Sequence, residues 1–248
     1  MEKYKAIVFD MDGTVLDTLD ELTKSLNYVF ARHGLPSMTQ KAIRPCLGFG
    51  YDGFIDKAAP QAPEALRRTM TKEFIAYYSA RCQTTTFPYP GIPQVLGRLK
   101  AAGYHMAIVS NKGQGAVSEL HDEYFKDFVD FSLGETPMYR KKPAPDMVWE
   151  ALKRLGCAKE DAIYVGDSEV DKQTADNAGL DAALVTWGFR DRDVLVNAGA
   201  ETICDSMDAL YRAPELVCNF LEKILALKQE RTMNVLQKNR KRGQDMEL

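Results

Sequence analysis

The sequence predicts an α/β protein: a doubly wound parallel sheet with an inserted all-helical segment. Short apolar runs that end in polar residues alternate with helical stretches, which is typical of parallel strands joined by crossover helices. A long interval after the first run has helical periodicity but no convincing strand. Residue types that suit ligand chemistry follow four of the predicted strands.

The predicted strands are mostly continuous runs of β-branched and aromatic residues. Such runs are expected when helices cover both faces of a parallel sheet. The strands are predicted at residues 5–9, 106–109, 128–133, 162–165 and 182–185, with a less marked one at 201–203.

The strandless interval is interpreted as a helical insertion into the α/β core. Helical periodicity covers residues 17–32, 40–43 and 62–78, with breaks at Gly and Pro between them. The chain is expected to leave the core near Thr18 and to return near Phe87, where two prolines stiffen the path. The predicted domains are an α/β core at 1–17 and 87–213, the helical insertion at 18–86, and a helical C-terminal extension at 214–248 without an assigned role.

Composition excludes several classes of partner. The 248 residues are 45% hydrophobic, and 32 basic against 35 acidic residues give a net charge of −3. No global positive field therefore favours nucleic acid or anionic lipid, and no apolar run approaches the roughly 18 residues of a membrane span. We expect a cytoplasmic protein, a monomer or homodimer, without nucleic-acid or membrane partners. A basic cluster at 238–242 is interpreted as a solvated chain end, with a nucleic-acid contact as the alternative.

The first strand runs directly into two carboxylates. Residues 10–14 read Asp-Met-Asp-Gly-Thr, so Asp10 and Asp12 would repel each other in a low-dielectric site unless a cation lay between them. Carboxylate oxygens suit Mg²⁺, which typically keeps several waters and binds substrate phosphate. The pattern therefore indicates a magnesium site.

Two further strand ends carry candidate anion-binding groups. Ser110 and Asn111 follow the second strand, where a hydroxyl and free amides at a helix start can hold an anion. Lys142 precedes Pro143 and Pro145, which would present it as a fixed cation. Taken singly, Ser110 also suits a helix cap and Lys142 an ordinary surface position.

The fourth strand end supplies two more carboxylates. Gly166 and Asp167 follow the strand directly, and Asp171 comes four residues after Asp167. A metal ligand with a supporting carboxylate is one interpretation, and helix capping by either residue is the other.

Together these four elements resemble the haloacid dehalogenase-like superfamily, and within it the phosphoglycolate phosphatase-like branch. Asp10 to Thr14 matches its first motif, Ser110 the second, Lys142 with Pro143-Ala144-Pro145 the third, and Gly166-Asp167-Ser168 with Asp171 the fourth. The order and separation match as well, over about residues 4–212. The resemblance implies a Rossmann-like core whose helical cap lies between the first and second motifs.

The resemblance also implies the chemistry. Asp10 would be the nucleophile that forms an aspartyl-phosphate, and Asp12 the general acid and then the general base. The phosphoryl group would be held by Ser110, Asn111 and Lys142, and Thr14 is assigned to the same phosphate-binding set. Mg²⁺ would be bound by Asp10, the backbone carbonyl of Asp12, and Asp167. Asp171 would order Lys142 or a metal-bound water.

The expected function is Mg²⁺-dependent hydrolysis of a small phosphorylated metabolite, with phosphoglycolate as the default substrate. The alternatives are pyrophosphatase, nucleotidase or β-phosphoglucomutase activity on the same site, or a non-catalytic module that senses a phosphometabolite. Substrate choice would lie in the cap. There Arg44 could bind a substrate carboxylate through its planar fork, or face solvent.

Overall fold

The computed structural model describes residues 4–215 and 217. Its strands are β1 (Ala6–Phe9), β2 (Leu16–Asp17), β3 (Phe87–Pro88), β4 (His105–Gly113), β5 (Phe131–Glu135), β6 (Ala162–Gly166), β7 (Asp181–Val185) and β8 (Thr202–Cys204). Its α-helices are α1 (Leu19–Arg32), α2 (Gln40–Ile43), α3 (Gly50–Ala58), α4 (Glu64–Ser79), α5 (Ile92–Ala101), α6 (Gln114–Tyr124), α7 (Asp146–Leu155), α8 (Glu169–Ala178), α9 (Arg192–Asn197) and α10 (Met207–Tyr211). Short 3₁₀ turns lie at Arg44–Cys46 and Lys159–Asp161.

Six strands form one parallel sheet in the order β5-β4-β1-β6-β7-β8. This confirms the predicted doubly wound α/β fold. The chain builds outward from β1 to β4 and β5, then crosses β1 to build β6, β7 and β8 on the other side. Ligands in such sheets bind beyond the carboxyl ends of the strands where the winding direction changes. That point lies at β1 and its two neighbours.

Alternation along β1 shows why the sheet is covered on both faces. Ile7 and Phe9 point into a core that includes α5 and α6 and continues into the helices before β3. Ala6 and Val8 point into a second core with α7 and α8. All four side chains are buried. Because each Å² of apolar surface removed from water contributes about 25 cal/mol, the packing of helices on both faces of the sheet stabilises the folded state.

A two-stranded ribbon joins the helical segment to the core. β2 and β3 pair antiparallel, with Leu16 opposite Pro88 and Asp17 opposite Phe87. The four helices α1 to α4 all lie between these strands in sequence. The division into a core and a cap at 18–86 stays a prediction, and this ribbon is the observation that supports it.

Several elements differ from their predicted form. The ribbon strands β2 and β3 lie in an interval for which no strand was predicted. Helix α3 was not predicted, because Gly50 and Gly53 obscure the helical spacing of its buried apolar residues. Strand β4 continues through Gly113, so Ser110 lies inside a strand and is not the cap of a helix start. Strand β5 begins at Phe131 and not at residue 128, because the chain there is still in a turn whose amides bond to Phe125.

Within the part of the chain that the structure describes, no helix has the length and apolar character needed to cross a membrane. The predicted helical extension at 214–248 lies almost entirely outside the described residues, as does its basic cluster at 238–242.

Candidate active site

One pocket lies at the carboxyl ends of the central strands, under the helices that precede β3. It is lined by seven of the predicted site residues, which follow β1 and β6, lie in the last part of β4 or lie in the loop after β5: Asp10, Asp12, Ser110, Asn111, Lys142, Asp167 and Asp171. The four strand ends that the sequence marks therefore meet in one place.

Lys142 is the central cation of the pocket. Its Nζ donates to Asp10 Oδ1 at 2.6 Å, to Asp171 Oδ1 at 2.8 Å and to the Tyr164 hydroxyl at 3.0 Å. The side chain is buried. Burial alone would lower the pKa of Lys142, but the charges of Asp10 and Asp171 raise it well above its ordinary value. The lysine is therefore held in its charged form beside the predicted nucleophile.

Asp171 serves the lysine and a helix at once. Its Oδ1 accepts from Lys142 and Tyr164, while its Oδ2 accepts from the amides of Asp167 and Ser168 and from Ser168 Oγ at 2.6 Å. Ser168 caps α8, and with Asp171 it forms a reciprocal capping box. Burial raises the pKa of Asp171, yet these donors and Lys142 bring it below its ordinary value. Asp171 therefore does both things that the sequence left as alternatives: it takes part in the cap of α8 and it supports Lys142.

The Asp167 carboxylate is held by the backbone at residues 13 and 188–189, which lies very close to it. Its Oδ2 accepts from the Phe189 amide at 2.5 Å, and its Oδ1 from Thr14 Oγ1 at 3.3 Å. A Cβ added at Gly188 would lie 2.3 Å from Asp167 Oδ2, and one added at Gly13 would lie 2.4 Å from it. Gly13 also has φ +88°, a left-handed conformation that favours glycine. Glycine at both positions is therefore required to seat this carboxylate.

The carboxylates form a compact acidic cluster. Asp10, Asp167 and Asp171 each place an oxygen within 4.8 Å of the others, and all three are buried. Burial raises the pKa of Asp10 well above its ordinary value despite Lys142. Burial and the charge of Asp171 raise the pKa of Asp167 to about 7. Such a cluster fits a divalent cation, since a bound cation would keep these groups ionised.

Asp12 faces the cluster from the other side of the pocket. Its Oδ2 accepts from Ser110 Oγ at 3.4 Å, and its Oδ1 lies 2.8 Å from Lys112 Nζ. Ser110 and Lys112 are two residues apart on β4, so their side chains share one face of the strand. The predicted acid–base residue is thus held by a hydroxyl and a second buried lysine.

Asn111 holds the loop after β5 that carries Lys142, the lysine loop, against the rest of the pocket. Its Oδ1 accepts from the Lys142 amide at 2.7 Å, and its Nδ2 donates to the Lys142 carbonyl at 2.9 Å. The same Nδ2 donates to the Gly48 carbonyl at 3.1 Å. One amide therefore links the loop after β5, strand β4 and the segment between the 3₁₀ turn and α3.

The wall opposite the carboxylates carries no charged side chain among the described residues. It is formed by residues from α1, α3 and the segment before α3: Leu22, Leu47, Gly48, Gly50, Tyr51 and Phe54. Phe189 closes the pocket from the loop after β7. This wall would exclude water from a bound substrate.

Two predicted binding residues do not line the pocket. Thr14 is fully buried behind Asp167, to which it donates. Arg44 donates to the Gly188 carbonyl at 2.8 Å and lies 3.5 Å from Asp191 Oδ1. Their assignment to substrate binding stays a prediction, and in this structure their side chains hold the core around Asp167 and Gly188.

Three residues that line the pocket, Lys112, Tyr51 and Phe189, were not among the residues predicted for the site. The position of Lys112 could have been predicted from the sequence. Side chains alternate along a strand, so if β4 is extended past Ser110, Lys112 lies two residues later on the same face as Ser110. Those of Tyr51 and Phe189 could not, because their positions depend on how α3 and the loop after β7 pack over the strand ends.

The fold and the pocket define an enzyme of the doubly wound α/β class, with its site at the ends of the central strands. The family model for haloacid dehalogenase-like hydrolases matches residues 7–185, and the chain belongs to that family. Phosphoglycolate phosphatases from Mesorhizobium japonicum and Xanthomonas campestris pv. campestris are 31% and 29% identical to it. They match over 76% and 75% of this chain and 85% of each relative.

A solved structure gives the same assignment. The protein of Lactobacillus delbrueckii subsp. bulgaricus, whose assignment as a phosphoglycolate phosphatase is itself provisional, is 38% identical. It superposes with a TM-score of 0.79 over 86% of this chain and 98% of its own. Within its family the chain falls in the phosphoglycolate phosphatase-like branch.

Proposed function

We propose that the protein is a Mg²⁺-dependent phosphatase that hydrolyses a small phosphorylated metabolite through a phosphorylated Asp10. The observation that carries the proposal is the contact of 2.6 Å between Asp10 Oδ1 and the buried Lys142 ammonium, with Asp12 facing them across the same pocket. Phosphoglycolate is the first substrate to test, because the curated relatives bear that activity in their names.

The acidic cluster fits the metal. Asp10 and Asp167 would hold Mg²⁺ with the backbone carbonyl of Asp12, since the two oxygens of Asp171 already accept from five donors. When bound, the ion would neutralise part of the negative charge that the carboxylates and a phosphate bring together. The raised pKa values of Asp10 and Asp167 are the property that such a cation would reverse.

In the first half of the reaction, a carboxylate oxygen of Asp10 attacks phosphorus and the bond from phosphorus to the leaving oxygen breaks. Asp12 donates its proton to that oxygen, which leaves as an alcohol. Lys142 and the hydroxyl of Ser110 face the same space and offset the charge of the transferring phosphoryl group. The uncharged wall opposite keeps bulk water away at this stage.

In the second half, Asp12 accepts a proton from a water molecule that attacks the aspartyl-phosphate. The phosphorus–oxygen bond to Asp10 breaks and inorganic phosphate leaves. Ser110 Oγ and Lys112 Nζ, which contact the two oxygens of Asp12, keep its carboxylate turned into the pocket for both steps. Asp171 keeps Lys142 pointed at Asp10 throughout.

The test is phosphate release from a substrate panel with Mg²⁺, using Asp10→Asn against Asp122→Asn. Asp122 is an exposed aspartate on α6, so its variant controls for the loss of one charge. We expect Asp10→Asn to abolish turnover while it still folds, as circular dichroism would show, and Asp122→Asn to retain turnover. Turnover by Asp10→Asn would refute a phosphorylated Asp10.

The panel also separates the alternatives. Pyrophosphate, nucleotides and glucose 1-phosphate distinguish pyrophosphatase, nucleotidase and mutase activity from hydrolysis of a small monoester. Absence of turnover on every compound, with tight binding of one of them, would favour a sensing module. The cytoplasmic location and the monomeric or homodimeric state stay predictions, which cell fractionation and light scattering would test.

A further inference from the structure

Lys112 is a buried cation to which the proposed chemistry gives only one task, the positioning of Asp12. Its side chain is 2% exposed and lines the pocket from β4. Burying an ammonium group is costly unless negative or polar partners face it. Asp12 and the Tyr78 hydroxyl supply two such partners, so the remaining N–H of the ammonium is the group to account for.

The contacts of Lys112 leave it able to donate toward the pocket. Its Nζ lies 2.8 Å from Asp12 Oδ1, but that oxygen is buried without a hydrogen bond, so the contact is an ion pair and not an aligned hydrogen bond. A short hydrogen bond to the Tyr78 hydroxyl engages one N–H. Since an ammonium has three donors, at least one remains for a ligand.

Tyr51 adds a second donor at the same place. Its hydroxyl is buried without a hydrogen-bond partner among the described residues, and its ring lines the pocket from α3. Burial raises the pKa of Tyr51, and the nearby charge of Lys112 opposes that rise. The phenol therefore stays protonated and can donate. A buried hydroxyl without a partner is itself unfavourable, which points to a ligand that accepts from it.

Charge in the pocket restricts what can bind there. Among the described lining residues the cations are Lys112 and Lys142. Lys142 is engaged by Asp10 and Asp171, whereas Lys112 contacts Asp12, the residue that would protonate the leaving oxygen in the proposed reaction. A negative group on the leaving alcohol would therefore meet Lys112.

We propose that Lys112 and Tyr51 form a subsite for a carboxylate carried by the leaving group. An ammonium and a phenol would each donate to one carboxylate oxygen. The substrate class is the phosphate monoesters of short 2-hydroxy acids, in which one carbon separates the leaving oxygen from the carboxylate. The inference rests on the proposed phosphatase function and names the residues that select its substrate.

The experiment compares 2-phosphoglycolate with ethyl phosphate, which has a methyl group in place of the carboxylate. The quantity measured is the ratio of the two kcat/KM values. In Lys112→Met we expect this ratio to fall about tenfold or more, the loss expected for one hydrogen bond to a charged group. In Tyr51→Phe, which removes only the hydroxyl and keeps the packing, we expect a fall of about threefold or more, mainly through KM for 2-phosphoglycolate.

Lys141→Met is the matched control, because Lys141 pairs with Glu135 and Asp52 outside the pocket. Its ratio should equal that of the wild type. If Lys112→Met and Tyr51→Phe slow both substrates by the same factor, the two residues only position Asp12 or the fold, and the subsite is overturned while the phosphatase stands. If the wild-type protein with Mg²⁺ releases phosphate from neither substrate nor any other compound of the panel, the proposed function itself fails. Tyr51→Phe decides the question should Lys112→Met not fold.

Discussion

Lys142 Nζ lies 2.6 Å from Asp10 Oδ1, and both side chains are almost completely buried. The pair is not isolated, because Asp171 accepts from the same ammonium. Removing the lysine would leave two carboxylates without their cation in a low-dielectric site.

Lys142→Met should therefore be damaging to both stability and turnover. Breaking a buried pair typically costs about 3–5 kcal/mol of unfolding free energy, and losing one preorganised charge slows the chemical step by about 10² to 10³. Urea unfolding and phosphate release measure the two effects. The neighbouring Lys141→Met, whose ammonium is partly exposed, should cost about 1 kcal/mol or less. Equal effects of the two substitutions would contradict a special role for Lys142.

The pKa of Asp167 predicts a pH-dependent stability in metal-free protein. Its pKa is raised to about 7 by burial and by the charge of Asp171. A carboxyl with a raised folded-state pKa contributes stability that is complete below its unfolded value and is lost as the pH rises through the folded value. With EDTA present, the wild-type protein should thus lose free energy of unfolding relative to Asp167→Asn between about pH 4 and about pH 7.

Asparagine cannot ionise, so the variant is the reference at each pH. Urea unfolding in steps of pH measures the difference. Added Mg²⁺ should remove it near neutral pH, since an ion that binds only the folded, ionised site stabilises the wild type. Parallel stability curves for the two proteins would show that Asp167 titrates normally.

Gly188→Ala should disturb the site through a single methyl group. A Cβ there would lie 2.3 Å from Asp167 Oδ2 and 2.4 Å from the Gly13 carbonyl, so backbone would have to move. We expect a loss of about 1–3 kcal/mol, typical of overpacking, together with weaker Mg²⁺ binding by calorimetry. Gly115→Ala is the control, because a Cβ at Gly115 on α6 meets nothing within 4 Å. That variant should be neutral or slightly stabilising, since alanine favours helix.

Asn111→Asp should loosen the lysine loop without changing side-chain size. The aspartate keeps the acceptor for the Lys142 amide but loses the donor to the Lys142 and Gly48 carbonyls. A buried acceptor left without its donor costs about 1–3 kcal/mol, and Lys142 would be less well placed. Thermal unfolding and kcat are the measurements.

Asn177→Asp is the matched control, because Asn177 near the end of α8 also bonds to the loop that carries Lys142. Asn177 is exposed and donates to the Pro143 carbonyl at 2.9 Å. Water can replace that bond, so we expect little change. A loss in Asn177→Asp as large as that in Asn111→Asp would mean that the loop, and not the set of Asn111 hydrogen bonds, is sensitive.

Much of the site could be predicted from the chain because strand order is enough to bring it together. Asp10 and Asp167 each follow a strand of one parallel sheet, Ser110 lies in the last part of another, and the three strands β1, β4 and β6 are neighbours. Because the carboxyl ends of neighbouring parallel strands lie at the same edge of a sheet, these residues are brought close together by the strand order alone. The roles that the family resemblance gives these residues stay predictions.

Contacts made by the helical segment could not be predicted in this way. Tyr78 contacts Lys112, and Tyr51 packs against Tyr78, only because α3 and α4 pack over β4. Helical spacing carries no information on where a helix docks. The same limit applies to Arg44, whose bond to the Gly188 carbonyl depends on the placement of a turn against a loop distant in sequence. The extent of β4 was missed for a local reason. Its last residues are polar, and polar residues usually mark the end of a strand.

Asp171 contacts both the start of α8 and the Lys142 ammonium, so the geometry of the pocket depends on where this helix begins. Its Oδ2 fixes where α8 begins, and its Oδ1 fixes where the Lys142 ammonium points. Inserting or deleting one residue in the first turn of α8 would rotate this carboxylate by about 100° and carry the cation away from Asp10. Insertions and deletions among homologues should consequently be absent between residues 166 and 171 and should occur only beyond the end of the helix. The number of residues between the end of β6 and Asp171 thus determines where the cation of the pocket lies.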